Sequence, residues 1–294
     1  MRVDNAVIMA AGTSSRFAPL SYERHKGLTE VRGEILVERQ IRQLLEAGVP
    51  EIYMVTGYKS EQFGYLPGKY GVHLIHNANY LVRNNNGSVW AAREVLGNSY
   101  LCSADNYFTE NPFESEVTDS YYAAEWSEGP TDEWCMTEDG EGLISSVTVG
   151  GRSAWYMTGH AFWSEEFTRS FLSILEAEYD APGTACKLWE SLLMEHLDVL
   201  RMKVRKYGPG VINEFDTLDE LRAFDASYIT DTRSRVIKKL ADELSVGESE
   251  LTGFEPIRGD CAEATGFSFR CGDDRYTFLY EKGFAERRPH EDWE

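Results

Sequence analysis

Three stretches of this chain carry residue types that could do chemistry together. The first runs Val7-Ile8-Met9-Ala10-Ala11-Gly12-Thr13-Ser14-Ser15-Arg16 and is followed by Lys26. A short apolar run that passes straight into Gly-Thr-Ser-Ser-Arg reads as a buried parallel strand entering a tight loop. Gly12 lets the backbone approach a ligand, and the N–H groups after it can converge on phosphate oxygens. Arg16 and Lys26 would hold the rest of a polyphosphate. The second stretch, Tyr100-Leu101-Cys102-Ser103-Ala104-Asp105-Asn106, is a strand that ends in an acid, and the third, Val211-Ile212-Asn213-Glu214-Phe215-Asp216-Thr217, brings another acid to a strand exit. Two carboxylates completed by phosphate oxygens are a ligand set for Mg²⁺, so Asp105 and Asp216 are the expected metal pair. With Arg16 and Lys26 they form the expected catalytic set. Such a set suits nucleotidyl transfer, in which an anionic oxygen attacks the α-phosphorus of a nucleoside triphosphate in line and pyrophosphate leaves. No general base is needed, because the nucleophile is already charged; the work is positioning and charge neutralisation.

These side chains converge only if the elements between them build a parallel sheet. Residues 6–10, 51–56 and 72–76 read as strands. Residues 34–47 place Ile35, Leu36, Ile41, Leu44 and Leu45 on a helical period that stops at Gly48, and a second helix spans residues 88–96. Alternating strands and helices predict a right-handed α/β architecture, a Rossmann-like and mostly parallel sheet flanked by helices, with ligands at the carboxyl ends of its strands. Beyond Pro112 the pattern changes to short strand candidates at 121–126, 133–136, 143–149 and 155–163, then helices at 165–179 and 184–196. Residues 211–217 read as a last strand, and Thr217 can cap a helix over 218–224. One domain is expected over residues 1–228. Residues 229–294 form a small α+β extension, with a helix at 233–244 and a small antiparallel sheet containing Phe254-Glu255-Pro256-Ile257-Arg258-Gly259, Phe267-Ser268-Phe269 and Tyr276-Thr277-Phe278.

Composition narrows the function classes. With 42% hydrophobic and 27% charged residues, and no apolar run near the ~20 residues of a membrane helix, a cytoplasmic globular protein without membrane insertion is expected. Five scattered cysteines without CxxC spacing fit free thiols in a reducing compartment. A formal net charge of −20 argues against a nucleic-acid partner. The charge is uneven: no Lys or Arg occurs from Glu94 to Gly151, while acids accumulate from Glu110 to Glu141. An acidic flap facing a basic anion site would suit a substrate with one anionic and one cationic end; a solvated acidic face is the plainer alternative.

Over roughly residues 5–226 the chain resembles the bacterial CTP:phosphocholine cytidylyltransferases and the related phosphonate cytidylyltransferases, within the nucleotidyltransferases that make nucleotide-sugars. The matching residues are Ala10-Ala11-Gly12 with Arg16 and Pro19-Leu20, Lys26, Val55-x-Gly57-Tyr58 before Glu61-Gln62-Phe63, and Asn84-Asn85 with Ser88. They continue through Ala104-Asp105-Asn106-Tyr107, Asp132-Glu133-Trp134, Thr158-Gly159 with Phe162-Trp163, Trp189-Glu190 and Glu214-Phe215-Asp216. The resemblance implies the nucleotidyltransferase fold, with Ala10, Ala11, Gly12 and Thr13 beside Arg16 and Lys26 holding the CTP phosphates and ribose. It places Asn85, Gly87 and Ser88 by the cytosine and Mg²⁺ on Asp105 and Asp216. Three positions depart from the family pattern: Ser14 stands for a second glycine, Ala18 for a basic residue, and His25 for the proline before Lys26.

The acceptor is expected to be small, phosphorylated and cationic. A quaternary ammonium calls for aromatic faces at roughly 0.5–2 kcal/mol each; Trp134, Trp155, Tyr156 and Trp189 are candidates, although tryptophans at this density are mostly core residues. Trp134 and Trp189 fall on aromatic positions of the family, and Glu214 on one of its acids. Cys186 and Leu188 replace residues usual in the phosphocholine enzymes, whereas the Lys187-x-x-Glu190 spacing resembles the phosphonate enzymes. There Lys187 would grip a phosphonate oxygen and Glu190 a primary ammonium, or the two form a surface helix pair. Phosphocholine, giving CDP-choline and pyrophosphate, is the first expectation, and 2-aminoethylphosphonate or phosphoethanolamine the second. A sugar-1-phosphate nucleotidyltransferase and a non-catalytic nucleotide-binding scaffold are the alternatives; the lack of basic residues in the flap disfavours one and the intact Arg16, Lys26, Asp105 and Asp216 disfavour the other. The tail resembles the opening of the N-lobe of choline/ethanolamine kinase-like phosphotransferases. Its Gly-rich loop, Gly259-Asp260-Cys261-Ala262, is degraded and no kinase catalytic loop follows, so the tail is expected to serve in docking or as a homodimer contact.

Overall fold

The computed structural model describes residues 1–258 and 263–288 and sets the N-terminal apolar run inside a sheet. Strand β1 (Asn5–Ala10) pairs in parallel on both edges, with β2 (Ile52–Thr56) and with β4 (Ser99–Ser103), and β2 pairs in parallel with β3 (His73–His76). A strand covered on both faces must be apolar along its length, and Ala6, Val7, Ile8 and Ala10 are all buried. Helices α1 (Leu36–Glu46) and α2 (Asn86–Ala92) lie between these strands in sequence, and the left-handed Gly48 (φ 81°) lies two residues past the end of α1.

The other half of the sheet is antiparallel in part. The short strand candidates between residues 121 and 163 are two long strands, β5 (Tyr121–Glu138) and β6 (Ile144–Trp163), paired antiparallel with several register shifts. Gly150, Ser153 and Gly159 sit in β6 at positive φ, which interrupts the alternation that marks a strand in sequence. The expected strand at 211–217 is reduced to Ile212–Asn213, paired with Tyr107–Phe108 outside the large sheet. The seventh sheet strand is instead β7 (Lys203–Lys206), giving the order β7-β5-β6-β4-β1-β2-β3. Helices α3 (Glu165–Glu178) and α4 (Trp189–Glu195) pack Phe167, Phe171, Leu175, Trp189 and Leu192 into one hydrophobic cluster with Tyr122, Met157 and Trp163.

Two compact units emerge: Met1–Gly12 with Leu36–Glu214, and Thr13–Ile35 with Phe215–Glu294. The second unit thus begins before the boundary drawn at residue 228 and takes in the segment after Gly12. It holds α5 (Leu218–Phe224), α6 (Arg235–Leu244) and the antiparallel sheet β8 (Leu251–Arg258), β9 (Ala264–Cys271), β10 (Asp274–Leu279) and β11 (Ala285–Arg287). Phe254, Phe267, Phe269 and Phe278 fill its core. The degraded loop at Gly259, Asp260, Cys261 and Ala262 lies outside the described residues. Among the described residues the four cysteines are free thiols, and no helix is long and apolar enough to cross a membrane.

Candidate active site

In the second unit, the segment after Gly12 turns twice before it reaches Lys26. Ser14 stands in the left-handed region (φ 50°, ψ 43°) ahead of a 3₁₀ turn at Ser15–Phe17. A side chain there costs roughly 1–2 kcal/mol, so Ser14 holds a conformation that glycine adopts more cheaply. A second 3₁₀ turn, Lys26–Leu28, is capped by His25, whose Nδ1 accepts the Gly27 N–H at 3.1 Å. The imidazole therefore orders the turn that carries Lys26. Lys26 is 3% exposed, and its ammonium meets Asp216 Oδ1 at 3.0 Å. Arg16, largely exposed, brings Nη1 to within 2.5 Å of the other oxygen, Oδ2. Asp216 itself is held by the helix that follows. Thr217 and Glu220 form a capping box at the start of α5, and Glu220 Oε2 also accepts the Asp216 N–H at 2.6 Å. Three of the four expected catalytic residues are thus one ion-paired cluster.

In the first unit, Ala10 and Ala11 are buried at the exit of β1, and a Cβ at Gly12 would meet no protein atom within 4 Å. Asp105 lies in the turn that ends β4, half-buried. That turn is fixed by Ala104 N–H donating to Met9 O (3.2 Å), Gln40 Nε2 to Ser103 O (3.1 Å) and Asn106 Nδ2 to Thr158 O (2.7 Å). Gly159 (φ 68°) crosses it so closely that a Cβ would stand 2.8 Å from Ser103 Oγ. Here glycine is required by contact as well as by backbone angle.

Of the residues expected beside the base, Asn85 belongs to a run of three asparagines. Asn84 donates from its N–H to Ala185 O and from Nδ2 to Cys186 O; Asn86 Nδ2 donates to Thr184 O and to Lys187 O. Asn85 Oδ1 accepts the first N–H of α4, from Trp189, at 2.7 Å, and its Nδ2 donates to Glu190 Oε2 at 3.0 Å. The run therefore fastens the start of α2 to the start of α4. Gly87 and Ser88 follow on α2; a Cβ on Gly87 would press on Arg83 at 3.1 Å, and Ser88 Oγ accepts from the buried Asn77 at 3.3 Å.

Among the acceptor candidates the structure separates two groups. Glu190 is buried, and Tyr122 Oη donates to its Oε1 at 3.0 Å. Its donors Asn85 and Tyr122 are neutral, and burial pushes its pKa above the ordinary carboxylate value. Glu214 is exposed, and its charge acts on the hydroxyls of Tyr122 and Tyr156. Burial first, then Glu125, Glu133 and Glu214, raise Tyr156 to about 12. A field of carboxylates therefore acts on two tyrosines, of which Tyr122 packs against Trp189 of α4. Trp134 and Trp155 lie half-buried on the hydrophobic cluster that holds Tyr122. The second group points elsewhere. Trp189 is 1% exposed and packs between Tyr122 and Trp163, so it is a core residue. Lys187 pairs with Glu195 (2.5 Å) and Glu178 (3.7 Å), and Glu178 also holds His196 at 2.7 Å. The hydrogen bond to Glu195 raises the Lys187 pKa.

The acidic flap also resolves differently. Asp119 pairs with Lys203 (3.1 Å), Glu114 with Arg205 (2.9 Å), Glu138 with Lys206, and Asp139 lies 3.8 Å from Arg201. Part of the cation deficit of residues 94–151 is made up by β7 and its approach, which pair with Glu114, Asp119, Glu138, Asp139 and Glu141. Tyr122 and Glu125 escaped the sequence reading because Tyr121-Tyr122-Ala123-Ala124-Glu125-Trp126 reads as a plain strand. An acid inside an apolar run was the available signal. Glu125 is 4% exposed and accepts the Ile212 N–H at 2.7 Å, which ties down the segment that leads to Glu214.

Residues 6–112 match the model of the MobA-like NTP transferase domain. A choline-phosphate cytidylyltransferase of Streptococcus pneumoniae is 30% identical over 220 residues, 75% of this chain and 96% of that protein. A 2-aminoethylphosphonate cytidylyltransferase of Lancefieldella rimae is 33% identical over 234 residues, 78% of this chain and 95% of that protein. The solved CTP:phosphocholine cytidylyltransferase of S. pneumoniae superposes with a TM-score of 0.74 at 30% identity, covering 77% of this chain and 99% of the other.

Proposed function

This chain belongs to the cytidylyltransferase family of the choline-phosphate and 2-aminoethylphosphonate enzymes, and we propose that its acceptor is cationic, phosphocholine first, with Glu190 neutralising the ammonium end. The reaction is cytidylyl transfer from CTP to a small phosphorylated acceptor. An acceptor phosphate oxygen forms a bond to the α-phosphorus of CTP as the bond to pyrophosphate breaks. The backbone of Ala10, Ala11, Gly12 and Thr13, with Arg16 and Lys26, is assigned to the triphosphate, and Asn85, Gly87 and Ser88 to the base. Lys26 is buried and ion-paired, so its charge is already placed before any phosphate arrives, which is what makes such a group effective in a transition state. Arg16 is exposed and can follow the departing pyrophosphate. The carboxylates of Asp105 and Asp216 are hard oxygen donors, the type that Mg²⁺ takes, and they are the residues that would hold it. When bound, the ion neutralises phosphate charge.

The observation that carries the cationic acceptor is Glu190, a buried carboxylate whose hydrogen-bond donors are neutral. Burying such a charge is costly unless a cation joins it. Of the aromatic candidates for a quaternary ammonium, Tyr122 is the one that meets Glu190, while Trp155 lies under the Lys206 ammonium. The second reading, 2-aminoethylphosphonate, is favoured by the same carboxylate, which also suits a primary ammonium. Against it, Lys187, the group that would grip a phosphonate, is engaged by Glu195 and Glu178. Competition assays settle the order. Phosphocholine is expected to give the higher kcat/KM; a preference for 2-aminoethylphosphonate of tenfold or more would reverse the two.

A further inference from the structure

The S. pneumoniae and L. rimae relatives are matched over 96% and 95% of their own lengths, yet about a quarter of this chain lies outside those matches. Within the second unit, residues beyond 228 do not stand apart from the segment that bears Arg16 and Lys26; they grip it at three places. Glu23 closes the single helical turn Leu20–Glu23, midway between the two cations, and its carboxylate caps the start of α6. Oε1 accepts from Ser234 Oγ (2.6 Å) and Val236 N–H (3.0 Å), and Oε2 from Arg235 N–H (3.0 Å). A carboxylate at a helix N-terminus satisfies donors that have no partner inside the helix, and it complements the helix dipole. Tyr22 stacks face to face on Tyr280 at 3.6 Å and 7°. Glu30 O accepts from Arg233 Nη1 at 2.9 Å. The extension also reaches the helix behind Asp216. Buried Arg222 on α5 donates to Leu251 O (2.7 Å) and Glu248 O (2.8 Å), and Asp219 Oδ2 accepts the Gly253 N–H at 3.0 Å. Both the segment carrying the cations and the helix after their carboxylate are therefore anchored in the same added element.

We propose that the extension beyond residue 228 is a brace that holds the Arg16–Lys26 segment in its binding conformation, with Glu23 as the positioning residue through which it sets CTP affinity. This rests on the assignment of Arg16 and Lys26 to the CTP phosphates. A segment already ordered loses less conformational freedom when a ligand binds, so the brace acts on affinity and not on the chemical step.

The test uses the full chain as wild type, Glu23→Ala, Glu23→Gln and Arg16→Ala. CTP binding is measured by calorimetry, KM for CTP and for the acceptor by pyrophosphate release, and backbone exchange by mass spectrometry. Glu23→Ala is expected to weaken CTP binding roughly five- to tenfold, to leave the acceptor KM within about twofold, and to speed amide exchange in residues 13–35 but not in β1–β3. Glu23→Gln, with a single accepting oxygen, falls between. Wild-type CTP affinity in folded Glu23→Ala overturns the brace, as does parallel loss of both substrates with uniformly faster exchange. If Glu23→Ala does not fold, Tyr22→Ala, which removes the face-to-face stack on Tyr280 from the side of the segment and leaves Tyr280 on Phe267 and Phe278, carries the same expectation. Arg16→Ala separates the premise from the proposal: if it binds CTP as wild type does, the phosphate assignment fails whatever Glu23 does.

Discussion

At Glu190, stability and function pull in opposite directions. Burial raises its pKa in the folded protein, so the folded state binds this proton more tightly than the unfolded chain. The stability linked to that proton is present below the unfolded pKa and is lost as pH rises through the folded one. Glu190→Gln removes the titration and keeps hydrogen bonds with Asn85 and Tyr122, whose hydroxyl can reverse. The apo variant is therefore expected to melt above wild type at pH 7–8, with the gap closing toward pH 4–5, in thermal scans. The same variant should raise the acceptor KM roughly tenfold or more and leave the CTP KM unchanged, because a neutral amide no longer offsets an ammonium. At Asp216 the expectation differs. Asp216→Ala leaves Lys26 buried without its carboxylate, so both melting temperature and turnover should fall, turnover by roughly 100-fold or more. Near-normal pyrophosphate release from a folded Asp216→Ala protein would remove it from the catalytic set.

The elements that carry these residues were legible where their periodicity was simple. β1, β2, α1 and the capping of α5 by Thr217 follow from apolar runs, helical spacing and a Thr-x-x-Glu box. Other elements were hidden for physical reasons. β7 is Lys-Val-Arg-Lys, an edge strand whose charges pair with acids around residues 114–138, so it has no apolar signature. The β5–β6 ribbon is broken in sequence by residues at positive φ. The site shows the same pattern. The Arg16, Lys26 and Asp216 cluster could be named from residue type and spacing, whereas the convergence of Glu190, Glu214 and Tyr122 depends on strand register and on how α4 docks. Trp189 looked like a ligand face and is core, because a tryptophan at a helix start gives no sign of which side is covered. The capping box has its own test. Thr217→Ala should cost about 1 kcal/mol of stability, read by chemical denaturation, and lower activity by loosening Asp216, whose N–H shares the Glu220 carboxylate.

For the whole molecule, 29 Lys and Arg stand against 49 Asp and Glu, so a formal charge of −20 leaves a carboxylate surplus that ion pairing cannot remove. Within residues 114–141, Glu114, Asp119, Glu138, Asp139 and Glu141 meet Arg201, Lys203, Arg205 and Lys206, so the electrostatic case for a cationic acceptor rests on Glu190 and on the carboxylates near Tyr122 and Tyr156. The extension beyond residue 228 hydrogen-bonds and stacks on the segment that bears Arg16 and Lys26. The account stands most directly on one measurement, the rate of pyrophosphate release from CTP with phosphocholine, 2-aminoethylphosphonate, phosphoethanolamine and an uncharged sugar 1-phosphate as acceptors. It predicts turnover with the cationic acceptors, highest with phosphocholine, and little with the sugar phosphate. Preferred turnover of the sugar phosphate would contradict it.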